Sequence, residues 1–193
     1  VGQQWRAAQG ASPGTTVLLC TAMFRPEKNH RALIAIAAGL PPGLDWQLWL
    51  AGDGPTRAAC ARQVAALGLG DRVKFLGWQR DPSPLYAAAD LAVHASWSES
   101  LSNFLIEAQA HGLPVVAYAA QGIAESFLPG ETGWVIARDD APAFRSRVQQ
   151  LACAPAAERA ARSARAQAYA RTTFDPARQE AAYLELFARL RAV

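Results

Sequence analysis

Short, largely apolar runs alternate with turn residues and helix-forming stretches along most of this 193-residue chain, and that alternation limits what it can fold into. The runs at 17–22 (VLLCTA) and 91–95 (LAVHA) read as buried strands, and 45–51 (DWQLWLA) and 114–118 (PVVAY) as further strands. The stretch 72–76 (RVKFL) alternates as a strand does, and 133–136 (GWVI) closes the series. Helices are predicted at about 30–38, 56–67, 84–89, 103–111, 141–152, 156–171 and 176–190, the last with proline at its first position. About six strand–helix alternations predict an α/β fold, a doubly wound Rossmann-like parallel sheet of about six strands with helices on both faces and a helical C-terminal tail. The first four strands are expected to be central. Residues 1–16 show little periodicity and read as a linker from something upstream, with 17–193 as one domain.

Composition removes several function classes. A net charge of +3, with arginines scattered among alanines, gives no stripe for nucleic acid. Cys20, Cys60 and Cys153 lie far apart without a C-x-x-C and read as buried thiols of a reducing compartment. His30, His94 and His111 show no metal-ligand spacing, and His30 reads as a surface residue. No apolar run reaches membrane-spanning length and no signal peptide is visible, so the expectation is a cytoplasmic protein.

The chemistry concentrates in 96–116, SWSESLSNFLIEAQAHGLPVV. Glu99 follows the strand at 91–95, where open α/β sheets bind ligands. Ser102 is the predicted N-cap of a helix opening at Asn103, and Gly112 and Pro114 end it. Phe104, Leu105, Ile106, Ala108 and Ala110 make that helix apolar on nearly every face, which reads Glu107 as a buried carboxylate in need of a partner; the plainer alternative is a surface helix with Glu107 in an ordinary salt bridge. A protein cation or the hydroxyls of a ligand could serve, and the open helix N-terminus beside it suits a phosphate. Lys28, just before the helix at 30–38, opposes the helix dipole and invites an anion, although a lysine there is more often simply solvated. Gly52-Asp53-Gly54-Pro55 is either a nucleotide loop or a tight strand-to-helix turn. It lacks the third glycine of a dinucleotide fingerprint, which disfavours a dehydrogenase.

Glu99, seven residues, Glu107-Ala108, then Gly112, Pro114-Val115-Val116-Ala117 resembles the donor-binding signature of the retaining glycosyltransferases of family 4, glycosyl transferases group 1, which have the GT-B fold. The resemblance covers about 17–190 and only the second, donor-binding half of such an enzyme. It implies a half that holds a nucleotide-diphosphate sugar and moves a hexose or N-acetylhexosamine to a glycan or lipid-linked acceptor, without a cofactor or metal. The acceptor-binding N-terminal half would then be missing, the fragment alone inactive, and any contact with the inner face of a membrane made through that half. Bacterial surface polysaccharide or glycoconjugate synthesis is the implied setting.

Residue by residue, the resemblance assigns the transferred sugar to Glu99, the ribose to Glu107, and the diphosphate to Lys28 and the backbone of Ser100, Leu101, Ser102, Asn103 and Phe104. Serines stand at 100 and 102 where the family commonly has glycine, and Met23 stands where it has arginine, with Arg25 as a substitute cation. Gly52 and Asp53 fall on the family's glycine loop, and Gly77, Trp78 and Gln79 on its base-contacting loop, where Trp78 could stack on a base or cover the core edge. A sugar-nucleotide epimerase half, which would need an acid/base pair in the cleft, and a non-catalytic nucleotide-binding domain are the alternatives.

Overall fold

The computed structural model describes residues 2–191. Six parallel strands form one sheet: β1 (Thr16–Thr21), β2 (Trp46–Ala51), β3 (Val73–Gly77), β4 (Leu91–His94), β5 (Val115–Tyr118) and β6 (Gly133–Ile136), in the order β3-β2-β1-β4-β5-β6. The helices are α1 (Gly2–Ala8), α2 (His30–Ala38), α3 (Arg57–Ala66), α4 (Ser83–Ala88), α5 (Asn103–Ala110), α6 (Ala141–Ala152), α7 (Ala156–Thr173) and α8 (Pro176–Arg191). The chain winds outward from β1 to β3, then returns to place β4 beside β1. Right-handed crossovers put α2 and α3 on one face, where α6 packs on α2, and α5 on the other, where α7 covers it.

The expected doubly wound sheet is therefore present, with one change of order. β1, β2 and β4 are central, but β3 is an edge strand and β5 takes the fourth central place. Burial follows: β2, β4 and β5 are buried throughout, whereas β3 is only partly covered after Val73. The alternation in RVKFL was the mark of that half-open position.

The segment before β1 is more ordered than its sequence suggested. It forms α1, which packs on α4 so closely that a side chain at Gly2 would overlap the carbonyl of Ala87. Arg6 holds it there. Its guanidinium donates to the carbonyls of Ala88 (2.8 Å), Ser12 (3.1 Å) and Thr15 and pairs with Asp90 (3.0 Å), which also accepts from the Val17 amide. No periodic pattern announces such a helix because one arginine and Trp5, rather than an apolar stripe, dock it.

Cys20 and Cys60 are buried as expected, and burial pushes the Cys20 thiol up to about 12; Cys153 is exposed, a correction to the reading of three buried thiols. His30 is also corrected: it is 1 % exposed and stacks on Phe24 with ring centres 4.1 Å apart. At the far end, α8 buries none of its residues, and Tyr183, Leu184, Leu186, Phe187 and Leu190 face outward. Among the described residues no helix is long and apolar enough to cross a membrane.

Candidate functional site

β1 and β4 are neighbours in the sheet, yet the chain leaves them in opposite directions, so the loops after them open a crevice at their carboxyl ends. The β1 loop brings Lys28 and the β4 loop brings Glu99. Lys28 Nζ lies 2.6 Å from Glu99 Oε1, and His94 Nε2 lies 2.7 Å from the same oxygen. The two loops are laced together beneath this pair: Ser96 Oγ donates to the Glu27 carbonyl (2.9 Å), which also accepts the Trp97 amide (3.0 Å). The Glu99 side chain is 9 % exposed. Burial alone would raise its pKa, but the hydrogen bonds from His94 and Lys28 outweigh that and hold the carboxyl down to about 2. Glu99 Oε2 has no protein partner among the described residues, and Lys28 keeps two N–H groups for an anion.

Ser102 has the extended backbone of an N-cap, but its hydroxyl makes no capping bond. The amides of Asn103 and Phe104 have no protein acceptor among the described residues, so α5 presents an open N-terminus to the crevice. Leu101, Ser102, Asn103 and Phe104 line one depression of about 260 Å³ with Lys28, His94 and Glu99. Ser100 sits on the turn behind it, so close to Gly122, at φ 74°, that a side chain at 122 would overlap the Ser100 carbonyl.

A second depression, about 590 Å³, is lined by Gly52, Asp53, Gly54, Trp78 and Gln79, and the two meet at Thr21, Ala22 and Met23. Gly52 and Gly54 have φ of 137° and 149°, and a Cβ on either would overlap the carbonyl of Ala22 or Phe24. The glycines thus serve both readings: they make the turn, and they let two loops close into one wall. Gly77, at φ 69°, accepts the Gly52 amide (2.7 Å), and Gln79 Nε2 donates to the Leu76 carbonyl (2.6 Å). Trp78 is 73 % exposed at the rim, so its ring does not cover the core. Arg25 does not join this group: it lines a separate depression with Asn29, Arg31 and Trp97, while Met23, 52 % exposed, lines both depressions of the crevice.

Glu107 takes the surface position of the plainer reading, not the buried one. It is exposed, because α5 turns the 103, 107 and 110 positions outward and Phe104, Leu105 and Ala108 inward. The buried polar residue of this helix is Gln109, which donates to the Leu113 carbonyl (2.8 Å) and accepts from Thr132 Oγ1 (2.6 Å). Glu107 still has a partner: Tyr86 donates to its Oε2 at 2.6 Å. Sequence reasoning passed over His94 and Tyr86. The available signal was position, His94 at the last place of a strand whose loop carries Glu99, but no spacing pattern singles it out.

The family model described as Glycosyl transferases group 1 matches residues 15–153. The lipopolysaccharide core biosynthesis glycosyltransferase LpsE of Rhizobium meliloti (strain 1021) is 34% identical over 146 residues, 76% of this chain and 42% of that protein. The N-acetyl-alpha-D-glucosaminyl L-malate synthase of Bacillus anthracis is 31% identical over 148 residues, 77% of this chain and 39% of that one. Among solved structures, Anabaena HepE in complex with UDP-glucose superposes with a TM-score of 0.88 at 27% identity, covering 97% of this chain and 52% of HepE. The chain thus spans less than half the length of these curated relatives and about half that of HepE. The match over all six strands of the sheet, from Thr15 through the end of α6, places this chain in the glycosyl transferases group 1 family.

Proposed function

We propose that this chain is the donor-binding half of a retaining, family 4, GT-B glycosyltransferase that moves a hexose or N-acetylhexosamine from a nucleotide-diphosphate sugar, most simply a UDP-sugar, to a glycan or lipid-linked acceptor. One observation carries the reading: Lys28 and the open amides of Asn103 and Phe104 flank the free oxygen of Glu99 in a single depression, so diphosphate and sugar hydroxyls find their partners side by side. The adjoining depression with Trp78 suits the nucleotide base. HepE, its relative of similar fold, is described in complex with UDP-glucose, and LpsE is described as acting in lipopolysaccharide core biosynthesis, which favours UDP and a bacterial surface glycan.

In this mechanism the bond between the sugar's anomeric carbon and the diphosphate oxygen breaks with its electron pair staying on the phosphate, an acceptor hydroxyl oxygen bonds that carbon in its place, and the acceptor's proton leaves with the diphosphate. Lys28 and the α5 amides stabilise that charge, so the transfer is metal-independent. Glu99 Oε2 orients the sugar, and Glu107 accepts the ribose hydroxyls. The acceptor half is a separate domain that completes the crevice. The open face of α8 is a surface for it, and any contact with the inner face of the cytoplasmic membrane runs through that domain.

Calorimetric titration with UDP, GDP and their hexose conjugates tests this. One base series should bind the wild-type chain, without transfer, and Glu107→Ala should weaken it by about tenfold, the worth of a charged hydrogen bond. Equal binding by Glu107→Ala, or no binding to the wild type, would overturn the donor reading. Efficient sugar transfer by this chain alone would overturn the missing-half reading.

A further inference from the structure

We propose that Tyr86 is a positioning residue for the nucleotide's ribose, acting through Glu107. This rests on the donor-site reading above and extends it to a residue outside the crevice walls.

The argument begins with an oddity: an exposed glutamate held by a buried phenol. Tyr86 is 2 % exposed. Its ring is stacked against His111, with centres 4.9 Å apart, and against Phe104 at 6.2 Å, so the hydroxyl cannot swing away. That hydroxyl has two neighbours, Glu107 Oε2 at 2.6 Å and Thr21 Oγ1 at 3.1 Å. The directions follow from counting protons. An ionised carboxylate only accepts, and a phenol has one proton, so Tyr86 donates to Glu107 and Thr21 donates to Tyr86. Burial first, and then the hydrogen bond to Glu107, push the phenol pKa well up, which keeps that proton in place.

Glu107 needs no such partner for its own sake, because water can solvate an exposed carboxylate. What the bond does is remove rotamer freedom that Glu107 would otherwise lose on meeting a ligand. Oε2 is tied down and Oε1, with no protein partner among the described residues, is left in a set direction. Thr21 ends β1 and lines both depressions of the crevice, Tyr86 comes from α4 and Glu107 from α5. Three elements that approach the donor from different sides therefore meet at one phenol, which references the ribose acceptor to the strand carrying the Lys28 loop.

The test is titration of the chain with UDP and with 2′,3′-dideoxy-UDP, for wild type, Tyr86→Phe, Glu107→Gln and the double variant. Tyr86→Phe keeps the ring and its stacking. It should weaken UDP by about three- to tenfold, as loss of one hydrogen bond does, and change dideoxy-UDP less than about twofold. The double variant should lose no more than Glu107→Gln alone. Thr21→Val should weaken UDP in the same ribose-dependent way, by about twofold. An equal loss on both ligands would mark Tyr86 as merely structural and overturn the inference, as would no loss on UDP. If Glu107→Gln fails to distinguish the two ligands, or if the wild type binds neither, the donor reading itself fails and takes this inference with it. If Glu107→Gln is ribose-selective and Tyr86→Phe is not, only the inference fails.

Discussion

Glu99 and Glu107 lie eight positions apart on one turn and helix, but the fold treats them differently. Glu99 is sunk to 9 % side-chain exposure and one of its oxygens is held by both Lys28 and His94. Glu107 faces solvent and is held by one neutral phenol. Both arrangements leave one oxygen free, so either could serve a hydroxylated ligand. The difference lies in what the rest of the molecule requires of each. Glu99 balances a cation and an imidazole in a half-closed crevice, and its removal leaves those groups desolvated and unpaired. Removal of Glu107 leaves one phenol short of an acceptor. On the proposed donor-site reading, a structural role and a binding role would be fused at Glu99 and separable at Glu107.

The largest expected effect follows from that fusion. Glu99→Ala should destabilise the fold by about 2–3 kcal/mol, at or below the usual cost of breaking a buried pair because Lys28 retains some contact with water. Glu107→Ala should cost under about 1 kcal/mol. Urea unfolding of both variants at neutral pH measures the difference. Equal costs would mean that the Lys28–Glu99–His94 contacts add nothing to stability and exist for the ligand alone.

Acid should act on the surroundings of Glu99 in two windows. His30 lies in the cluster beside Lys28 and His94. Burial first, then the charges of His94 and Lys28, lower its pKa to about 4, so it is neutral in the fold at pH 7. Between pH 6.5 and about 4 the unfolded chain takes up a proton that the folded chain refuses, and stability falls as pH falls. That contribution is on the order of 2–3 kcal/mol across the window. Glu99 adds its own loss lower down, between about 4.5 and 2, because its folded pKa is depressed and its stabilisation vanishes on protonation. Melting temperatures of wild type and His30→Gln at pH 7, 5, 4, 3 and 2.5 separate the two. His30→Gln should flatten the upper window and leave the lower one; a parallel decline in both proteins would assign the acid sensitivity elsewhere.

Much of this fold can be read from the residues, and the reasons are local. The strands 17–22 and 114–118 are apolar because both faces are covered, and Gly112 and Pro114 stop α5 where the chain must re-enter the sheet. The position of Glu99 after β4 already points at the crevice. What stays hidden is contact between residues far apart in sequence. His94 and Glu99 are near neighbours, yet only the sheet order brings Lys28 to them. Tyr86 and Glu107 meet because α4 and α5 share a face, and α1 docks through Arg6 to groups up to 84 positions away. The reading of Glu107 as buried failed because apolar neighbours on both sides of a residue do not fix its phase on a short helix. Gln109 makes the converse point two positions on. Its amide is of a type usually found at the surface, yet the core takes it in, because Leu113 and Thr132 satisfy it there.

The smallest effect concerns the one place where the crevice departs from the family's charge pattern. Met23 joins the two depressions and is 52 % exposed, and the resemblance puts an arginine there. Arg25 lines a different hollow, so Lys28 is the cation that the crevice presents near the α5 amides. Met23→Arg should therefore raise UDP affinity by about two- to fivefold at low salt, the modest worth of an exposed ion pair, and the gain should shrink as ionic strength rises. Stability should hardly change, since Met23 supports no neighbour that its stem could not. A gain equal at all salt concentrations would point to packing rather than charge. No gain would mean that the diphosphate lies closer to Glu99 than to the Trp78 depression, and would shift the comparison of the two glutamates toward Glu99 as the residue on which donor binding turns.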